Sequence, residues 1–532
     1  WSPELRDRSA ACLAQCRTQL TAALDVLTHG DAVTTSLARA ATSLDDPDRC
    51  ADARFLLAAV PPPPPGRAAA IAPLRAALER ARTLRVLGRS YTAGPLGFAV
   101  VAGALAAGDR ALVAEGHAIV GDAAYMVDDN ATALDQARAA YFEGEASGAG
   151  AAVVTAAAVR ALTFTDGERD RARDWADLAV AAAGRTDDPR LELAATHATI
   201  ITMLERGETG PALEQATAAV ARGEGLDGPL RSTVLTDRAR VFGKLGNAAA
   251  ALADLDRARQ LVIEAGGESP ALDTIDILRA RAFRAMDRID DVIALQRAQV
   301  ARSEAFFGPT SERLASALLE LGSTLCTQRP EESLPILDRA DAILRGLGEQ
   351  RTYDLAAIAN DRALAFSRLG RHDEAIAAYR TVIEILVEVR GAEHPLVAQA
   401  WSNLGSAAVA GDQPAVAIDA LDRAIAMYEK ISPADDDLAD ALTARGTLAT
   451  HRGDLAAARR DLERALAMRS GPDVTPSLRA LTQARLAAVR AAQGDRAAAL
   501  TLARSARSAL PPDTVFSPDL ERALDAILAP HR

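Results

Sequence analysis

Lysine is nearly missing from this chain of 532 residues: Lys244 and Lys430 stand alone among sixty basic residues, the rest of which are arginine. We read that as a compositional bias of the genome, not as a site. The 72 acidic residues leave a net charge of -12, so there is no basic stripe to neutralise phosphates. Nucleic acid and anionic membrane are thereby disfavoured as partners, and a basic partner segment is weakly favoured. Aromatic residues make up 4% of a chain that is 49% apolar. Its core must therefore come from alanine and leucine, with small residues where helices cross, which is the composition of an all-helical protein.

A long hydrophobic run is also lacking. The longest, Pro95 to Ala107, ends at Gly108-Asp109-Arg110, well short of the roughly 20 residues that span a bilayer. It is expected to be a buried helix, with no membrane insertion by this chain. The chain opens at Trp1 with no Met, charged leader or cleavage signature, and so reads as part of a longer or processed protein whose start carries no address.

Four cysteines occur, at 12, 16, 50 and 326. Cys12 and Cys16 are four apart on one helix face, where direct pairing is poorly aligned. A bridge from either of them to Cys50 would tie two helices together; the alternative is three small buried residues in a helical cap. Zinc is disfavoured, since His29 alone lies near and the spacing fits no finger.

Catalytic signatures are absent. There is no GxSxG elbow, and Cys326 sits in a helix without an evident base, as a buried structural thiol would. Gly148-Ala149-Gly150 lacks the preceding strand and third glycine of a nucleotide-binding fingerprint and reads as a loop. His117, His197 and His451 form no ligand pair and read as partly exposed helix residues. Asp45-Asp46 and Asp435-Asp436-Asp437 lie near helix starts, where carboxylates favour the helix dipole, and lack a calcium-loop pattern. No cofactor, no metal and no enzymatic activity are expected.

What is present is a repeat. An alanine or its substitute recurs at Ala93, Ala133, Ala172, Ala212, Ala251, Val292, Ser333, Ala375, Ala417, Ala458 and Ala499, at intervals of 39 to 42 residues. This is the length of a helical-hairpin repeat, and it predicts eleven pairs of helices, each too short to bury its apolar stripe without its neighbours. Gly88, Gly167, Gly207, Gly246, Gly370, Gly453 and Gly494 fall five residues before the tracked position, where a helix must stop and reverse. Asp287 and Asp412 stand in where glycine is missing. Breakers such as Gly267-Glu268-Ser269-Pro270, Gly308-Pro309, His394-Pro395, Ser432-Pro433 and Thr475-Pro476 mark the joints between pairs.

The expected organisation is a helical cap over 1–60, a polyproline linker at 61–66, the repeat array over 67–510 and a capping helix over 511–532. The cap should hold a helix ending at His29-Gly30, a second over 31–44 and a short one near 51–57. In the linker, Pro61 to Pro65 permit no helix. At the other end Ser517-Pro518 supplies an N-cap and first-turn proline, followed by an apolar face of Leu520, Leu524 and Ile527.

The small residue at Gly405, Gly446 or Ala487, the turn and the following alanine resemble the tetratricopeptide repeat, most clearly in Asn403-Leu404-Gly405 and in Arg371 to Tyr379. The forty-odd period and the joint Gly391-Ala392-Glu393-His394-Pro395 are similar to the longer variant in kinesin light chains and many bacterial proteins. The resemblance implies an all-α, right-handed superhelical solenoid of helical hairpins, acting as a scaffold or sensory module for a protein or peptide partner.

The opening segment, with Ser2-Pro3-Glu4-Leu5, Ala11-Cys12-Leu13, Leu24-Asp25-Val26-Leu27 and Arg49-Cys50-Ala51-Asp52, resembles the region before the repeats in large myxobacterial serine/threonine kinases. That resemblance implies a sensor region across the membrane from a catalytic domain outside this chain, hence a periplasmic or extracytoplasmic setting in place of a cytoplasmic one, and a cysteine bridge. No kinase signature occurs here to carry over.

In the tetratricopeptide family the first helix of each pair forms the concave face. Counting back from each small residue places Asn360, Leu364, Ser367 and Arg368 there in one unit, Gln399, Ser402, Asn403 and Ser406 in the next, and Asp440, Thr443, Thr447 and His451 in a third. This is a polar track suited to an extended peptide held through its backbone. The lysines with which chaperone-binding members clamp a carboxylate are missing from it, so chaperone tails are not expected partners.

Overall fold

The computed structural model describes the chain except residues 30–43, 88, 128, 164–168, 187, 226–227, 267–271, 349–351, 432–435, 472–474, 511–515 and 530–532. All regular structure among the described residues is helical, in the solenoid arrangement of stacked hairpins. The expected helix over 31–44, the joints at Gly267-Pro270 and Ser432-Pro433, Gly88, Gly167, Asp435 and Pro511-Pro512 lie wholly or mainly outside the described residues.

The repeat phase is regular. In all eleven pairs the tracked position is the fourth residue of the second helix, from Ser90–Ala107 holding Ala93 to Arg496–Ser508 holding Ala499. Every one of these residues is buried, Ala93, Val292, Ala375 and Ala458 completely. Ser333, the polar exception, donates its hydroxyl to the Gly322 carbonyl at 2.8 Å, so its burial leaves no unpaired group. Close approach explains the small residue in the partner helix: a Cβ at Gly405 would meet the Leu421 side chain at 2.5 Å, and one at Gly446 would meet Leu462 at 2.8 Å.

The reversals have the predicted backbone. Gly207, Gly246, Gly370, Gly453 and Gly494 all have positive φ, and so do Asp287 (57°) and Asp412 (52°). A non-glycine residue in the left-handed region is strained, though least so for Asp and Asn. Asp412→Gly should therefore raise stability by about 0.5 kcal/mol, the relief of strain outweighing the added freedom of the unfolded chain. Urea denaturation would check it, and a lowered midpoint would show that the Asp412 side chain contributes more than its backbone loses.

The chain forms two compact units, Trp1–Arg302 and Ser303–Arg532. Within each, every sizeable contact in the repeats joins helices one or two places apart, so the core is a run of local clusters. One such cluster in the second unit joins Ala398, Ala424, Tyr428, Leu442 and Ala465. The second unit closes with helix Pro518–Leu528, whose Leu520, Leu524 and Ile527 pack with Ala499, Ala503 and Ala506 of the last pair. Ser517 occupies its N-cap without a side-chain bond; Glu521 accepts from the Phe516 N–H instead.

Two expectations need correction. The helix after the polyproline stretch begins at Pro65, inside the segment judged helix-free, because a first-turn proline lacks only an N–H that would have no helical partner. The apolar run 95–107 belongs to helix Ser90–Ala107, which is buried on one face only: Ala93, Val100 and Ala104 face the core, while Tyr91 and Leu105 are 70% and 63% exposed. As the second helix of a hairpin it has a neighbour on one side. Among the described residues it is the one helix long and apolar enough to cross a membrane, and 33% of it is buried.

Candidate functional site

The residues expected to form a concave track lie on three first helices of the second unit, Tyr353–Arg368, Pro395–Ala410 and Asp436–His451. Arg368, Gln399, Ser406, Asp440 and His451 are exposed, and Asn360, Leu364, Asn403 and Thr447 half-buried. Gln399 and Ser406 are seven apart, as are Asp440 and Thr447, so each pair shares a helix face. Ser402 and Thr443 are corrections: at 7% and 6% exposure they face the packing between helices. Thr443 donates to the Ala439 carbonyl at 2.7 Å and sits 3.5 Å from the Thr482 hydroxyl of the next first helix, Pro476–Ala492.

Two polar links between successive first helices escaped the sequence reading. Ser323, on helix Glu312–Gln328, donates to Asp361, whose carboxyl is pushed above the usual range by burial against the pull of Ser323 and Asn360. Arg469, fully buried, donates to Asp436 at 2.9 Å, to Thr482 at 2.7 Å and to Asp440. Asp440 is thus anchored, not free to swing. Thr447 donates to the Thr443 carbonyl at 2.8 Å. Of the residues on these helices expected to line the track, Arg368, Gln399, Ser406, Asp440 and His451 are accessible.

The other singled-out positions are engaged by neighbouring groups or by the local backbone. Cys326 is buried, donates to the Ser323 carbonyl at 3.0 Å, and burial pushes its thiol up to about 12. His197 is held at 2.7 Å by Asp237; burial lowers its pKa, but the carboxylate more than offsets that and the net direction is upward. His117 contacts Gln136 at 2.7 Å. Asp46 caps the short 3-10 turn Pro47–Ala51, while Gly148 ends one helix in the left-handed region and Gly150 opens the next.

The first unit holds a feature that no motif announced. Helix Pro3–His29 lies along helix Pro65–Val86, and the turn at 47–51 and helix Ala53–Ala58 fold back on it. Cys12 is bonded to Cys50, with Cα atoms 5.6 Å apart, and the free Cys16 thiol lies 3.8 Å from the Cys50 sulfur. Arg8 donates to the Leu56 and Ala59 carbonyls at 2.9 and 3.0 Å. The far end of this cap reaches helix Pro189–Glu205 through Arg49 to Asp188 at 2.7 Å and Asp45 to Arg190 at 2.5 Å. Between the cap and the first helices of the array lies a cavity of about 990 Å³.

Set beside known proteins, residues 354–430, which make up two consecutive hairpins, match the tetratricopeptide repeat family. No curated protein matches the chain. Among solved structures, BtubC from P. vanneervenii is 22% identical over 43% of this chain and 96% of its own, with a TM-score of 0.37. A tetratricopeptide repeat protein from Parabacteroides merdae is 16% identical over 55% of this chain and 98% of its own, with a TM-score of 0.38. The apo form of RapI is 9% identical over 67% of this chain and 97% of its own, with a TM-score of 0.48.

Proposed function

We propose that this protein is an interaction scaffold that binds a peptide or protein segment, in extended form, along the first helices of its second unit. The observation carrying the reading is the repeated exposure of hydrogen-bonding side chains there, Gln399 and Ser406 on one helix and His451 on the next. Such a face meets a backbone's N–H and C=O groups without demanding a sequence, which suits extended peptides. The net charge of -12 favours basic segments.

The test is selection from a random peptide-display library followed by affinity measurement. Ser406→Arg, which places a bulky charge on the open face, should weaken the selected peptides by about tenfold or more, the loss of roughly one well-placed contact. Equal binding by Ser406→Arg and the parent would overturn the reading.

A second reading makes the chain the extracytoplasmic sensor region of a membrane-anchored serine/threonine kinase. The Cys12–Cys50 disulfide supports it, since such bonds persist in oxidising compartments. Kinase motifs and a membrane helix encoded upstream of Trp1 would establish it, and a coding sequence without them would end it.

A further inference from the structure

We infer that the cavity beneath the N-terminal cap is a second binding site, for an uncharged and mostly apolar small molecule. Its volume, about 990 Å³, is that of a site for a drug-sized ligand. Much of its wall is apolar, with Ile71, Ile119 and Val153 contributing side chains.

Many of the charges in the wall are matched with one another. Arg82 is paired with Glu79 at 2.6 Å and Glu115 at 2.7 Å, Arg85 with Asp122 at 2.8 Å, and Arg185 with Glu145 at 2.7 Å. A charged ligand entering here would lose its water and find its counter-charges engaged, whereas an uncharged one loses little. Selection is therefore against ions.

Glu79 is 3% exposed and lines the cavity, and it accepts from Gln15 at 2.5 Å and Arg82 at 2.6 Å, so the most deeply buried carboxylate of the wall is held by protein donors. Burial also pushes the Glu79 carboxyl above the usual range, against the opposing effect of Arg82.

N-phenyl-1-naphthylamine, an uncharged dye with an apolar body, serves as the probe. It should bind the full chain one to one with enhanced fluorescence, and saturating dye should slow N-ethylmaleimide alkylation of Cys16, a half-buried thiol in the cavity wall, read by peptide mass spectrometry. Ala72→Trp fills the cavity from an exposed position on its wall and should weaken the dye about tenfold or more. Should circular dichroism show that variant unfolded, Thr155→Phe, on the half-buried wall opposite, carries the same expectation. Absence of dye binding, binding indifferent to the folded cavity-filling variant, or unchanged Cys16 labelling at saturation would each overturn the inference.

Discussion

Arg302→Met is expected to loosen the end of the first unit by about 3 kcal/mol, the lower part of the range for stranding a buried charge. Arg302 is 8% exposed and donates to Asp276 at 2.7 Å and Asp273 at 3.1 Å. Asp276 is more deeply buried, at 2%, so methionine would replace the volume of the arginine stem while leaving a carboxylate without its main counter-charge. Arg279 and Arg259 lie 3.5 and 3.8 Å from the other Asp276 oxygen and soften the loss, which is why the upper part of the range is not reached. The effect should be local, since each hairpin contacts only its neighbours. Amide exchange should accelerate in helices Asp273–Ala285 and Ile289–Phe307 and stay near parental values in helices before residue 200. Adding Asp276→Asn removes the stranded charge and should restore most of the protection, giving a coupling well above the experimental error of a double-mutant cycle. If Arg302→Met alone exchanges like the parent, the pair contributes nothing net to the fold.

The array was legible because its information is local and periodic. A short side chain recurs at the fourth position of each second helix, and a left-handed residue stands five before it at Gly207, Gly246, Asp287, Gly370, Asp412, Gly453 and Gly494. That is how Asp287 and Asp412 could be read as glycine substitutes without coordinates. Facing was harder to read. Ser402 and Thr443 were placed by counting along one helix, but their burial is decided by the neighbouring helices, as the contact between Thr443 and Thr482 illustrates. The cavity left no periodic trace at all. Its closing pairs, Arg49 with Asp188 and Arg190 with Asp45, join residues 139 and 145 apart, and arginine–aspartate pairs are too common in this composition to single those two out. Only the cysteines hinted at the cap, and their spacing left open whether Cys12 or Cys16 was the one bonded.

Cys50→Ser is expected to release the cap. The Cys12–Cys50 bond closes a segment of 38 residues, and chain entropy alone assigns a loop of that size about 4 kcal/mol at 25 °C, an upper figure because a released cap keeps other contacts. Those contacts include two ion pairs to helix Pro189–Glu205, Arg8 on two carbonyls, Arg49 stacked 4.0 Å over Phe55, Gln15 on Glu79, and Ala23 and Val26 packed with Leu84 and Leu87. The bond's loss is thus expected to loosen mainly the half of the cap before Ala23 and Val26. The outer face of helix Pro3–His29 adds no packing, with Leu13, Leu20 and Leu24 all about half exposed. Trypsin should therefore cut at Arg17 much faster in Cys50→Ser than in the parent, while the repeats of the second unit keep their protection. Cys12→Ser should behave differently, because the Cys16 sulfur is 3.8 Å from that of Cys50 and can form the replacement bond when the protein matures under oxidising conditions. Peptide mapping should then find Cys16 linked to Cys50 and a cap nearly as resistant as the parent's, and Cys12→Ser/Cys16→Ser should match Cys50→Ser. Equal trypsin sensitivity in the two single variants would mean that Cys16 cannot take over the tether, and parental resistance in Cys50→Ser would mean that packing, not the disulfide, holds the cap in place.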